Sequence, residues 1–219
     1  FVRLSTKIIE DIHERGKVPI LVGGTGLYID SLLNGLFQGP AKDTVIRSTL
    51  QKQAEQYGCD YLHQQLERID PEAAHKIHPH DVRRIMRALE VYAITGQPIS
   101  VLQKQRRGLL HDKRYVIRMF GLTLPRPQLY ENINKRVEVM FKKGAVAEVR
   151  KILRKRTSLT FRQALGIKEI AAYLKGKMGL EGAKELMKKN TRHFAKRQLT
   201  WFRKNSKIKW IESIDSVII

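Results

Sequence analysis

A single cysteine, Cys59, is all the thiol this 219-residue chain carries. An internal disulfide is therefore excluded. No Cys/His zinc spacing occurs either, so a reducing, cytoplasmic setting is the expectation. Long hydrophobic runs are missing too. No stretch approaches the ~20 apolar residues that cross a bilayer, and no signal peptide is visible, so no membrane role is expected. Negative charge is the third scarcity: 21 Asp and Glu stand against 42 Lys and Arg, leaving a net charge of +21. Such an excess points to a polyanionic partner, nucleic acid first, with a basic but non-binding surface as the plain alternative. Because the basic residues are spread over many segments instead of one amphipathic helix, a membrane-surface role fits less well. Aromatic residues make up 7% and hydrophobic residues 42%, ordinary values for a chain that buries a core.

The first residue is Phe1, and Leu4, Ile8, Ile9 and Ile12 recur at helical spacing before Gly16. This reads as the later part of a helix, and the chain is expected to begin inside a domain. "VPILV" (18–22) is a short, continuous apolar run suited to a fully buried strand of a parallel sheet. "GGTG" follows, then a helix over about 27–33. "NGLFQGPAKD" carries two glycines and a proline and reads as a linker. Residues 43–107 read as helical. Ile46, Leu50 and Ala54 share one face, as do Val82, Ile85, Met86, Leu89 and Tyr92, with a start at Pro79–Asp81 and a stop at Gly96-Gln97-Pro98. A strand is predicted over Tyr115–Leu124. A helix follows with Leu129, Ile133, Val137, Met140 and Phe141 inward and Gly144 at its C-cap, and another spans Ala145–Leu153. The last long helix covers about Glu181–Arg203, and "KIKWIES" is a final strand. The architecture predicted is an α/β core (1–40 and 110–219) interrupted by a helical insertion domain (41–109).

Several groups of residues could carry chemistry. Gly24-Thr25-Gly26 lacks the third glycine of a dinucleotide fingerprint, since Ile29 stands there, and no G-x-x-x-x-G-K-[ST] occurs in the chain. The glycines open space at a strand end where Thr25 can present a hydroxyl, although a plain strand–helix turn explains them equally well. "HKIHPHD" (His75, His78, His80, Asp81) is read as a helix cap in preference to a zinc site, because Pro79 separates two imidazoles and no second cluster matches. Arg83, Arg84 and Arg87 lie off the apolar stripe of their helix and are candidates for phosphate contact. In "TRHFAKRQLTWFRK", Arg192, Lys196 and Arg203 form a basic stripe beside Phe194, Trp201 and Phe202.

Taken together, "KVPILVGGTGLYIDSLLNG", "IHPHDVRRIMRALEVYAITGQPIS", "LYENINKRVEVMFKKGAVAEVRKI", "QALGIKEIAAYL" and "TRHFAKRQLTWFR" resemble the tRNA dimethylallyltransferases (tRNA isopentenyltransferases), in that family's order and spacing. The resemblance implies a P-loop-NTPase-like α/β core with a parallel sheet, incomplete at its N-terminus here, and a helical insertion domain. It implies transfer of a dimethylallyl group from dimethylallyl diphosphate, with Mg²⁺, to N6 of the adenosine beside the tRNA anticodon. The partners would be the anticodon stem-loop and dimethylallyl diphosphate, and the enzyme a cytoplasmic monomer. Carried over position by position, Thr25 lies near the target nucleotide, Arg47 and the stretch Arg83, Arg84, Ile85, Met86 and Arg87 contact tRNA, and Gln163, Ala164, Leu165, Gly166, Ile167 and Lys168 run along the substrate loop. Arg136 would bind the diphosphate. The family's P-loop and general-base aspartate are expected upstream of Phe1, so no catalytic residue is assigned within these residues and the chain alone is expected to be inactive. "GIKE" stands where "GYKE" is usual, removing an aromatic. The alternatives are an adenylate isopentenyltransferase acting on free nucleotide and a non-catalytic RNA-binding module.

Overall fold

In a computed structural model that describes residues 1–213, the chain is mostly helical and divides into two compact units. Residues 214–219, the end of the core domain as bounded from sequence, lie outside the described residues.

The first unit comprises Phe1–Gly23 and Leu27–Val116. It holds α1 (Val2–Glu14), most of α2 (Gly26–Asn34), α3 (Thr44–Tyr57), α4 (Cys59–Ile69), α5 (Pro71–Lys76), α6 (Val82–Thr95), α7 (Ile99–Lys104) and a short 3-10 turn at Leu109–His111. The start and stop signals read at Asp81 and Gly96 correspond to real caps, and Asp43 supplies a further one. Asp43 accepts from the amides of Val45 and Ile46 at the start of α3, Asp81 accepts from Arg84 N at the start of α6, and Gly96 closes α6 in the left-handed region. Leu50, Leu62, Leu66, Ala73, Ala74, Ile85, Ala88, Leu89, Val91 and Ile99 form one core from α3 to α7, with Ile46, Ala54, Val82 and Met86 packed against it. Asp70 is buried inside this bundle with no countercharge among the described residues. One carboxylate oxygen accepts from Ala73 N (3.0 Å) and the other from Ser100 N (2.9 Å), so a single side chain caps α5 and anchors α7. The backbone of Gly35 lies against that of Arg107 and Gly108, so the chain leaves for the helical bundle and returns from it at adjacent points.

The second unit comprises Gly24–Gly26 and the chain from Ile117 onward. It contains β1 (Met119–Leu122), α8 (Arg126–Lys142), α9 (Ala145–Leu153), α10 (Leu159–Arg162), α11 (Ile167–Leu174), α12 (Leu180–Phe202) and β2 (Ile208–Ile211). The strands pair in parallel, Met119 with Ile208 through Leu122 with Ile211. Within this unit Ile133, Val137, Val149, Ile170, Ala183 and Met187 of the helices and Ile211 of β2 are buried. The pair α8 and α12 is further joined by Glu138, which meets Lys188 at 2.6 Å and Lys184 at 3.5 Å.

Three expectations are corrected. Val18–Val22 forms no strand among the described residues, and Val22 is 88% exposed. A wholly apolar strand is stabilised only by neighbours on its edges and faces, and the described sheet has two strands, neither paired with this run. The strand predicted over 115–124 is confined to Met119–Leu122, because its four-residue partner β2 limits the ladder. Met140 is exposed instead of inward: the buried positions of α8 are Ile133 and Val137, and the stripe continues to Phe141, which is half-buried.

Candidate nucleic-acid interface

The residues singled out from sequence separate into those held in structural roles and those presented to solvent. In the first unit the dividing feature is Glu90, fully buried on α6. Its carboxylate accepts from Arg47 Nε (2.8 Å) and Nη2 (2.8 Å), from Arg87 Nη1 (2.7 Å) and from the Asp43 amide (2.9 Å). The Arg47 hydrogen bonds, reinforced by Arg87 and the Asp43 amide, hold this carboxyl down at about 2 against the opposing penalty of burial. Arg87 also donates from Nη2 to the Pro40 carbonyl (3.0 Å), tying the linker to the bundle. Arg47 and Arg87 remain about one-third exposed, so each spans from the buried acid to the surface. The i, i+3 spacing makes Arg87 and Glu90 neighbours on one helix, but nothing in the sequence shows that Arg47, 43 residues away, joins them. Glu90 reads as one more polar residue within the apolar string "IMRALEVY".

Arg83 and Arg84 point outward from the first turns of α6. Arg84 keeps a 3.3 Å contact with the half-exposed Asp81, a screened surface pair, and Arg83 has no ionic partner among the described residues. Ile85 is completely buried in the helical core and Met86 half-buried beside it, so these two support the arginines from within.

In the second unit the substrate-loop stretch forms the approach to α11. Gln163, Ala164, Leu165 and Lys168 are exposed and Ile167 is half-buried, whereas Gly166 is buried with φ +86°. The buried Glu169 reaches back to accept from Gly166 N (2.8 Å) and takes a second hydrogen bond from Asn190 on α12 (2.6 Å). The exposed residues are therefore mounted on a fixed turn. Arg136 is exposed on α8 and has no ionic partner among the described residues. The basic stripe of α12 is partly engaged: Arg192 donates to Asn134 (2.7 Å) and lies over the Tyr130 ring, and Arg203 lies over Trp210.

Thr25 is exposed at the tip of a loop gripped on both sides by α12. Gln198 Nε2 donates to the Gly24 carbonyl (2.7 Å), and the Trp201 indole lies where a Cβ on Gly26 would stand. Sequence reasoning selects Thr25 and Trp201 separately and has no signal for Gln198. The glycines flanking Thr25 are the sign that something approaches closely there.

One potential metal-ligand group is hidden by spacing. Cys59 and Asp60 at the start of α4 and His80 before α6 place one ligand atom each within 4.8 Å of one another. Thiolate and imidazole suit zinc and softer ions, whereas Mg²⁺ takes oxygen ligands and phosphates. This donor set therefore does not fit Mg²⁺.

The chain matches the family model described as IPP transferase over residues 1–205. It is 49% identical to the tRNA dimethylallyltransferase of Carboxydothermus hydrogenoformans over 215 residues, covering 97% of this chain and 68% of that protein. Among solved structures, the full-length tRNA isopentenylpyrophosphate transferase of Bacillus halodurans is 40% identical, with a TM-score of 0.61 over 95% of this chain and 64% of that one. A eukaryotic dimethylallyltransferase acting on tRNA is 31% identical, with a TM-score of 0.71 over 92% of this chain and 51% of that one. The chain thus spans between about half and two-thirds of the length of these relatives. With a family match over nearly every residue and identity close to one half, the chain belongs to the tRNA dimethylallyltransferases.

Proposed function

We propose that the protein, as a cytoplasmic monomer, moves a dimethylallyl group from dimethylallyl diphosphate to N6 of adenosine 37 in the anticodon stem-loop. In this reading residues 41–109 are the helical insertion that grips tRNA, and residues 1–40 and 110–219 belong to a P-loop-type α/β core. N6 attacks the allylic carbon, the carbon–oxygen bond to diphosphate breaks, and the N6 proton passes to a general base. An adenine amine is a poor nucleophile because its lone pair is delocalised into the ring, and the departing diphosphate needs fixed cations around its growing charge. Arg136, exposed on α8 and without an ionic partner among the described residues, is suited to that diphosphate. The target base has to leave its stack, at a cost of about a few kcal/mol, and be held by the protein. Thr25 is the residue we assign to meet it.

Arg83 and Arg84 take backbone phosphates, with Arg47 and Arg87 reaching the same partner from their anchors on Glu90. Gln163 to Lys168 follow the substrate loop from the turn fixed by Glu169. When bound, Mg²⁺ would neutralise diphosphate charge.

The observation that carries this reading is the match across residues 1–205, joined to the outward placement of Thr25, Arg83, Arg84 and Lys168. The full-length protein is incubated with dimethylallyl diphosphate, Mg²⁺ and unmodified tRNA, and adenosine 37 is analysed by mass spectrometry. Prenylated adenosine at that position is expected. Product with free AMP and none with tRNA would replace this reading with a free-nucleotide transferase.

A further inference from the structure

We propose that Gln198 and Trp201 of α12 are positioning residues that hold the Gly24–Gly26 loop so that Thr25 faces its nucleoside. The proposal rests on the assignment of Thr25 made above.

The geometry is specific. Residues 198 and 201 lie three apart on one helix, so their side chains leave the same face. Gln198 takes the Gly24 carbonyl at 2.7 Å across 174 residues of sequence, and its terminal amide fills the place of a Cβ on Gly24. The indole of Trp201 does the same at Gly26. Thr25, between them, is left exposed.

A loop of three glycines around one threonine has little conformational preference of its own. A hydroxyl that must meet one atom of a bound base needs placing within about half an ångström. The two α12 side chains supply that constraint from outside the loop. They also explain why both neighbours of Thr25 are glycine: any side chain there would displace the group that holds the loop. Gly24 is not in the left-handed region, so an alanine is compatible with its backbone and acts only by pushing Gln198 aside.

The test uses full-length protein and a double-mutant cycle of Gln198→Ala, Gly24→Ala and the pair, with Thr25→Ala and Trp201→Phe alongside. Each member of the cycle breaks the same hydrogen bond. Each single variant should lower kcat on tRNA about tenfold to a hundredfold. The KM for dimethylallyl diphosphate and the tRNA Kd should be unchanged, and the double variant should be no worse than the poorer single. Hydrogen–deuterium exchange over residues 23–27 should rise in Gln198→Ala while helix content is retained. Trp201→Phe keeps an aromatic over Gly26 and should retain most of kcat. Additive effects in the cycle, unchanged exchange in the loop, or a defect confined to tRNA affinity would each overturn the proposal. If Thr25→Ala is as active as the unaltered protein while loop exchange still rises in Gln198→Ala, the assignment of Thr25 falls and the anchoring of the loop stands.

Discussion

Replacing Glu90 by glutamine removes one negative charge from the interior of the helical bundle and keeps the side chain's volume. The carboxylate is fully buried and takes four hydrogen bonds, three from guanidinium groups and one from the Asp43 amide. Held at about 2 instead of the usual 4.5, it contributes about 3 kcal/mol at neutral pH. Breaking a buried ion pair by removing one partner costs ~3–5 kcal/mol. The lower end applies here, because Arg47 and Arg87 are each about one-third exposed and recover some hydration when the acid is removed. In the variant, the amide NH₂ would also face arginine donors it cannot accept from. The expected destabilisation is therefore about 3 kcal/mol, read by urea unfolding followed by far-UV circular dichroism at pH 7. The pH dependence has a fixed sign. A carboxyl whose folded-state value is depressed stabilises fully above its unfolded value, and that contribution fades as the pH falls from about 5 towards about 2. The gap between the unaltered protein and Glu90→Gln should narrow over that window. A destabilisation under about 1 kcal/mol at pH 7, or a gap that stays constant on acidification, would refute the reasoning.

Two further outcomes follow from the same bundle. Replacing Arg83 and Arg84 together by alanine should weaken tRNA binding and reduce the slope of log affinity against log salt by about one for each phosphate left unneutralised, measured by filter binding across a salt series. Because Arg83 has no ionic partner among the described residues and Arg84 only a screened one, stability should change by less than about 0.5 kcal/mol, and an unchanged salt slope would remove them from the interface. Asp70→Ala should lower stability by about 2 kcal/mol or more, since it deletes the α5 cap and orphans the buried Ser100 amide. Hydrogen exchange at Ser100 checks this, and continued protection there would contradict it.

The helices are legible because their information is local. Asp81 and Gly96 declare their caps within three residues, and the 3.6-residue periodicity of Ile46, Leu50 and Ala54 or Val82, Ile85 and Leu89 matches the faces that are buried. Strands are less local. "VPILV" has the composition of a buried strand, yet that composition does not supply the neighbours that would cover it. Pairings across long stretches of sequence are illegible for the same reason. Arg47 and Glu90 lie 43 residues apart, and Gln198 meets Gly24 at a separation of 174, distances over which no periodicity operates. The thiol and imidazole of Cys59 and His80 converge only because two helix starts pack together. Family resemblance places the candidate residues along the chain. The structure adds that Arg47 and Arg87 are anchored on a buried acid and Ile85 is core, while Arg83, Arg84 and Thr25 face outward.

The assignment of the Gly24–Gly26 loop to the target nucleoside is tested most directly by cross-linking. A stem-loop carrying a photoreactive adenosine at the modified position is irradiated with the full-length protein, and the attached peptide is identified by mass spectrometry. Attachment within residues 23–27, abolished by competition with unmodified stem-loop, is the predicted result. Attachment confined to α6 or to residues 163–168, with none in the glycine loop, would contradict it.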